Sequence, residues 1–340
     1  MILIDAVYIN AGGGKNLLQE LLLSLRGVVD VALLRDTRIE DLDTAGMKVF
    51  DIPASEAGRT RFYRSHRDLL RRVLCFGNVP PPLSLRAEVR VYFHNMTLCQ
   101  AYPGESIYTK IRSILKLHYI RQLSNNTDGF FVQSDLVKSA LAAHLPKKTV
   151  ITVWPFYSKK SHDFSNSTTD DYKWLRYAYV SNAYTHKNHQ RLIKAWELLA
   201  SQGFFPELHL TVYGNNSEVI ALIKEAQIKG VKIVNHGFTE PAILYKLCAY
   251  QIYPSLIESF GLGLVEAAEA GCAIIAADLP YVHAAVKANI LFDPLSVVSI
   301  SDAVVCTMGR PANATEIVIK NRIKDLVSWM QLGQSADLRG

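Results

Sequence analysis

Two carboxylates, Glu258 and Glu266, stand eight positions apart in the run Glu258-Ser-Phe260-Gly261-Leu262-Gly263-Leu-Val-Glu266. Tyr253-Pro254-Ser255 upstream reads as a strand end and a breaker, and Val265, Ala267, Ala268 and Ala270 downstream read as a small-residue helix that Gly271 ends. The spacing therefore predicts a strand, a tight loop and a helix N-terminus whose backbone N–H groups are free. Such an end carries about half a positive charge and suits a phosphate. Glu258 falls before the loop and Glu266 about one turn inside the helix. One carboxylate can then face a sugar while the other faces a ribose of the same ligand. A buried helix start that the glutamates merely cap fits the same spacing, and spacing alone leaves both readings open.

The segment 258–271, continued by Cys272-Ala-Ile-Ile-Ala-Ala-Asp278, resembles the E-x7-E segment of the retaining glycosyltransferase family 4. That pattern runs E-x-F-G-L-x-x-x-E-A-x-A-x-G, then a buried strand and a Ser-Asp or Ala-Asp pair, and nearly every fixed position is matched. The resemblance implies transfer of a glycosyl group from a nucleotide diphosphate sugar, with no metal and no other cofactor. It implies Glu266 on the ribose, Glu258 on the donor sugar, and the N–H groups at Leu262 and Gly263 on the diphosphate.

Val180-Ser-Asn182-Ala-Tyr-Thr-His186-Lys187-Asn188-His189 ends a strand and opens a helix at 190–199. A lysine there can offset charge on a departing diphosphate, although an ordinary surface lysine fits the sequence too. Lys187 and Asn188 resemble the family's pyrophosphate-gripping segment. The family often places an arginine at the site of Asn182 or His186. This chain has neither, which leaves the charge to Lys187 and the helix end.

Gly12, Gly13 and Gly14 follow the first strand and precede a Leu-rich helix at 17–25, so a ligand can approach the backbone closely there. The frame is neither G-x-G-x-x-G nor a P-loop, and a plain tight turn fits as well. The resemblance implies a phosphate and acceptor loop. It also implies that His94, at the end of Val91-Tyr-Phe-His94-Asn95, faces the donor sugar, although a lone histidine after an apolar strand is more often structural. Gly214, Gly237 and Phe238, after two further strands, match positions that border the nucleotide base. Phe131-Val-Gln-Ser134 and Trp154-Pro155-Phe156 resemble the family's strand end near the cleft and its step before the interdomain linker.

The elements that must position these residues alternate throughout the chain. Strand-like runs at 2–9, 28–34, 48–52, 73–76, 89–93, 129–132 and 150–153 form one set, and runs at 176–180, 208–213, 231–234, 249–253 and 273–276 a second. Strands each followed by a helical stretch predict parallel, doubly wound α/β sheets. The expected organisation is an acceptor-side Rossmann-like domain at 1–157, a polar linker at 158–172 and a nucleotide-sugar domain at 173–315. A last helix at 316–330, within the tail 316–340, is expected to cross back to the first domain. Two Rossmann-like domains facing a cleft make the GT-B architecture that the resemblance also implies.

The chain has 340 residues, 49% of them hydrophobic, and a formal charge of +6, which indicates a soluble globular protein of two domains. No apolar run reaches membrane-spanning length, the first residues lack the basic region of a signal peptide, and the five scattered cysteines suit reduced core thiols. The expected location is cytoplasmic, at the inner face of the membrane. Between positions 57 and 121 twelve Lys or Arg stand against three acidic residues, with Arg59, Arg61, Arg64, Arg67, Arg71 and Arg72 crowded on one expected helix. A solvated basic face fits this, as does attraction to anionic lipid at about 1 kcal/mol per basic residue. No nucleic-acid module accompanies it. The charge and the resemblance together point to a saccharide acceptor, lipid-linked, in bacterial surface polysaccharide assembly such as O-antigen. A nucleotide-sugar epimerase on the same fold and a non-catalytic membrane partner are the rival readings. Frames for serine, cysteine and zinc hydrolases are missing from the sequence.

Overall fold

The computed structural model describes residues 1–158, 171–214, 216–310 and 313–332. The chain divides into two compact units: unit 1 comprises Met1–Ala101, Ile107–Ser158 and the chain from Lys320, and unit 2 comprises Tyr102–Ser106 and the chain to Ile319. The expected linker at 158–172 lies almost entirely outside the described residues.

Unit 1 holds strands β1 (Ile2–Asp5), β2 (Val31–Asp36), β3 (Lys48–Ile52), β4 (Arg72–Cys75), β5 (Glu88–Phe93), β6 (Gly129–Val132) and β7 (Ile151–Val153). Its helices are α1 (Gly12–Ser24), α2 (Glu56–His66), α3 (Ile107–Leu123) and α4 (Asp135–Ala142). All seven strands are parallel, in the order β3-β2-β1-β4-β5-β6-β7. Every residue of β1 is buried, as a strand covered on both faces requires.

Unit 2 holds β8 (Arg176–Tyr179), β9 (Glu207–Leu210), β10 (Ile233–Asn235), β11 (Tyr250–Tyr253), β12 (Ala273–Ala277), β13 (Val286–Lys287), β14 (Ile290–Phe292) and β15 (Glu316–Ile317). Its helices are α5 (His189–Ser201), α6 (Ser217–Ile228), α7 (Pro241–Leu247), α8 (Leu262–Glu269), α9 (Pro280–Ala285) and α10 (Val297–Val305). Six strands form a parallel sheet, β10-β9-β8-β11-β12-β14, and β13 pairs antiparallel with β15. In each unit the chain winds outward on one side of its first strand and then returns on the other. The winding reverses between β1 and β4, and again between β8 and β11. Parallel sheets bind ligands outside the carboxyl ends of the strands at such switch points.

Three sequence expectations change here. The expected helix at 316–330 begins only at α11 (Ile323–Gln331), because Glu316–Ile317 pairs with Val286–Lys287. Leu326, Trp329 and Met330 of α11 join the apolar core of unit 1, and the Trp329 indole donates to Glu88 at 2.9 Å. Gly12–Gly14 are not a loop before a helix but the first turn of α1, entered at φ +65° at Gly12, where a side chain would be strained. The six arginines are also not one exposed helix face. Arg59 is fully buried, with its guanidinium on Asp5 (2.8 Å), Glu56 (2.8 Å) and the carbonyls of Val79 and Pro80. Arg72 begins β4 and pairs with Glu88, and Arg71 pairs with Asp30. A buried arginine so engaged cannot meet lipid, which leaves Arg61, Arg64 and Arg67 as the exposed members.

Candidate functional site

The switch point of unit 2 is closed by contacts between chain segments far apart in sequence. After β8 the chain makes a short 3-10 turn (Thr185–Lys187) and enters α5 through Asn188 at φ +62°. The Asn188 amide donates to Pro254 O (3.1 Å) and Pro294 O (2.8 Å). It thus ties the β8 loop to those after β11 and β14. Leu256 N donates to His186 O at 2.8 Å, and the Tyr281 hydroxyl to Ser255 O at 2.6 Å. Asn188, expected on the ligand, is therefore buried, and its amide nitrogen is spent on positioning.

This bracing brings Lys187 and Glu258 into an ion pair, Nζ to Oε1. The Tyr253 hydroxyl donates to the same Oε1 at 3.2 Å. The two charged side chains are 16% and 14% exposed, so the pair is mostly dry yet reachable. Burial pushes the Glu258 carboxyl up, but the Lys187 ammonium outweighs it, and the group stays below the usual carboxylate range. Burial, and then the Glu258 charge, hold the Tyr179, Tyr253 and Tyr281 hydroxyls far above their ordinary range. Burial and then the Lys187 charge depress His186 to about 4 and His189 to about 3, so both rings are neutral at pH 7.

Immediately beyond Glu258, α8 starts at Gly261 (φ +73°), where a Cβ would lie 2.9 Å from the Leu264 side chain. No side chain caps this helix, and no acidic residue stands in its first turn. The backbone N–H groups of Leu262 and Gly263 open the helix, and its positive end favours an anion. A Cβ on Gly263 would lie 3.1 Å from the Tyr253 ring, so the helix end packs closely on the strand end below it. Glu266 is half-buried one turn inside, and its charge, after burial, helps to raise the Tyr245 hydroxyl. Phe260 is buried beneath the turn.

Gly214 (φ +71°) and Gly237 (φ +64°) follow β9 and β10, the next strands of the same sheet. Asn235 joins these two strand ends through Val212 N (2.9 Å) and Val212 O (3.0 Å). Phe238, 83% exposed, stands edge-on to Tyr213 with ring centroids 5.2 Å apart. Flat apolar surfaces of this kind suit a base.

The switch point of unit 1 carries the remaining expected residues. A Cβ on Gly77 would fall 1.9 Å from Val7 O, so the loops after β4 and β1 cross where only a glycine fits. Asn78, at φ +67°, accepts from His94 N at 2.7 Å. His94 Nε2 lies 3.0 Å from Phe76 O, and burial depresses the ring to about 4. The ring is therefore neutral at pH 7, with Nε2 held by the Phe76 carbonyl and, at 3.3 Å, by the Asn78 amide nitrogen. A Cβ on Gly14 would lie 3.1 Å from His94 Cε1, so the glycine turn and the histidine fit one another. Gly12 and Gly13 are exposed beside them, at an α1 N-terminus that no side chain caps.

Sequence reasoning missed Tyr253, Asn78 and Asn235. A tyrosine closing an apolar strand and an asparagine next to a turn glycine were the available signals. It also missed Arg191, a cation in the first turn of α5 held by Asn188 Oδ1 at 2.9 Å.

Residues 161–308, under half of the chain, match the family model described as glycosyl transferases group 1. Among solved structures, the chain is similar to sucrose-phosphate synthase from Thermosynechococcus elongatus (TM-score 0.71, 15% identity), covering 99% of this chain and 97% of that one. It is similar to Anabaena HepE solved with UDP and glucose (TM-score 0.68, 12% identity, 98% and 97% covered). It is also similar to TarM (TM-score 0.61, 17% identity), where 80% of this chain spans only 57% of the length of that one. No curated protein matches the chain. These likenesses agree with the two parallel sheets and their switch points: the chain has the two-unit, Rossmann-like GT-B fold, with a glycosyl transferases group 1 segment in its second unit.

Proposed function

We propose that the chain is a retaining, metal-independent glycosyltransferase of the family 4 type. It moves a hexosyl group from a UDP- or GDP-sugar to a saccharide acceptor. The observation that carries the reading is the Lys187–Glu258 ion pair at the β8/β11 switch point, directly before the uncapped α8 N-terminus. Within unit 2, cationic and anionic groups stand side by side where a diphosphate and a sugar would meet. The Lys187 ammonium and the Leu262 and Gly263 N–H groups receive the charge of the departing nucleoside diphosphate. Glu258, held ionised by Lys187, accepts hydrogen bonds from donor-sugar hydroxyls, and Glu266 accepts from the ribose. Gly214, Gly237 and Phe238 border the base. Gly12–Gly14 and His94 are assigned to the sugar and acceptor side.

We assign the acceptor to a lipid-linked saccharide at the inner face of the cytoplasmic membrane, and the reaction to O-antigen or related polysaccharide assembly. The excess of basic residues in unit 1 supports this, although Arg59, Arg71 and Arg72 are withdrawn from it. The test incubates the protein with UDP- and GDP-hexoses and a lipid-diphosphate-linked saccharide, and reads the anomeric configuration of the product by NMR. Retention is expected, with Glu258→Gln slowing turnover by about 10²-fold or more. Inversion, or epimerised donor without any transfer, overturns the proposal.

A further inference from the structure

Helix α3 is 17 residues long, about 26 Å, yet only Leu117 and Ile120 are buried in it. Ile107 and Tyr108 are each 76% exposed, Ile111 53%, and Ile114 and Leu115 each 65%. At about 100° per residue these five side chains share one stripe roughly 120° wide, on the side of the helix opposite the buried pair. Single exposed apolar residues are ordinary, whereas a contiguous stripe of five marks a surface that binds something.

The charges around the stripe indicate what. Lys110 and Arg121 project along one edge and Arg112 and Lys116 along the other, and α3 contains no acidic residue. Tyr108, Ile111 and Leu115 line a shallow groove together with Arg112, Lys116 and Tyr119. An apolar stripe flanked on both sides by cations suits the boundary between headgroups and acyl chains of an anionic bilayer. Its apolar side chains enter the acyl region, while the long basic side chains reach phosphate groups at the rim. An acidic protein partner would complement the cations and waste the isoleucines. An apolar one would leave the cations unmatched.

We propose that α3 is a membrane-docking helix, lying in the plane of an anionic leaflet with Tyr108, Ile111, Ile114 and Leu115 inserted. None of the stripe residues is among those assigned to transfer. The test of docking therefore does not depend on the proposed activity, and nucleotide binding reads that activity separately. Docking places unit 1 against the surface where a lipid-linked acceptor resides.

The experiment is vesicle flotation of the full chain with phosphatidylcholine alone and with about 30% phosphatidylglycerol. Wild type is expected to float with the anionic vesicles and to be released by high salt. Ile111→Glu combined with Leu115→Glu is expected to lower the bound fraction at least tenfold while leaving the melting temperature unchanged. If that variant does not fold, Ile111→Trp serves instead, and its fluorescence should shift to the blue on anionic vesicles only. The proposal is overturned if wild type binds neither vesicle, if the double variant binds as well as wild type, or if the tryptophan stays water-exposed. It is equally overturned if wild type is a dimer that the double variant converts to monomer without any lipid binding, since the stripe would then belong to a second copy.

Discussion

Replacing Lys187 by methionine removes the ammonium but keeps most of the side-chain volume. Glu258 is then left as a carboxylate among Tyr179, Tyr253 and Tyr281, with no cation against it. Removing one partner of a fully buried pair costs about 3–5 kcal/mol. Both side chains keep about a sixth of their exposure, so roughly 2–4 kcal/mol is expected. That lowers the melting temperature of a unit this size by roughly 6–12 °C. The pH dependence has a definite sign. In the wild type the folded pKa of Glu258 lies below its ordinary 4.5, so the pair's contribution is present above that pH and is lost as pH falls through the folded value. In Lys187→Met, burial acts unopposed and raises the carboxyl, so protonation relieves the variant. The gap between the two proteins therefore narrows on acidification from pH 7.5 to 5. Adding Glu258→Gln to Lys187→Met should recover about 2 kcal/mol, because no buried charge remains. Calorimetric melts of wild type, Lys187→Met, Glu258→Gln and the double variant at both pH values measure this. A Lys187→Met loss below about 0.5 kcal/mol, or a double variant no more stable than the single, would refute the reasoning.

Three further outcomes follow from the same geometry. Gly77→Ala places a methyl 1.9 Å from Val7 O, and a backbone clash that neither loop can relieve should cost more than about 4 kcal/mol in a urea titration. Arg59→Met leaves Asp5 buried and unpaired and should cost about 3–5 kcal/mol, whereas Arg61→Met on the exposed face should stay within about 0.5 kcal/mol. His186 and His189 are depressed to about 4 and about 3, against roughly 6.5 when unfolded. Their contribution is whole above pH 6.5 and is lost as pH falls toward those values, with unfolding of unit 2 taking up at least about two protons near pH 5. His189→Phe should reduce that uptake by one, read from the slope of stability against pH.

How much of this was legible depended on the range of each interaction. The alternation of apolar strands and helical stretches is a local signal, and it indicated two parallel sheets. The β14 strand, three residues long, and the β13–β15 pair carry too little pattern to be read. Glu258, the α8 start and Glu266 lie within nine residues of one another, so a turn glycine and a helical period were enough to find them. Asn188 looked like a ligand residue beside Lys187, because its partners Pro254 and Pro294 stand 66 and 106 positions away. Arg59 was indistinguishable from five neighbouring arginines for the same reason: Asp5 is 54 positions away. The glycines at 12–14 were read as a loop on composition, yet α1 takes them as its first turn because the buried leucines of α1 at 17, 18, 21 and 22 continue the helix. The stripe on α3 escaped notice because its isoleucines and leucines read equally well as core, and only the fold shows which face is covered.

The measurement that bears most directly on the central claim is a thermal shift of wild type and Glu266→Ala with UDP, GDP, CMP and NAD. At about 100 times its dissociation constant a nucleotide bound at the β8/β11 switch point adds roughly 2.7 kcal/mol and raises the melting temperature by several degrees. UDP or GDP should do so for the wild type and not for Glu266→Ala, with CMP and NAD without effect. An equal shift in the variant, or no shift with either diphosphate, would contradict a nucleotide site built from Lys187, Glu258 and the α8 N-terminus.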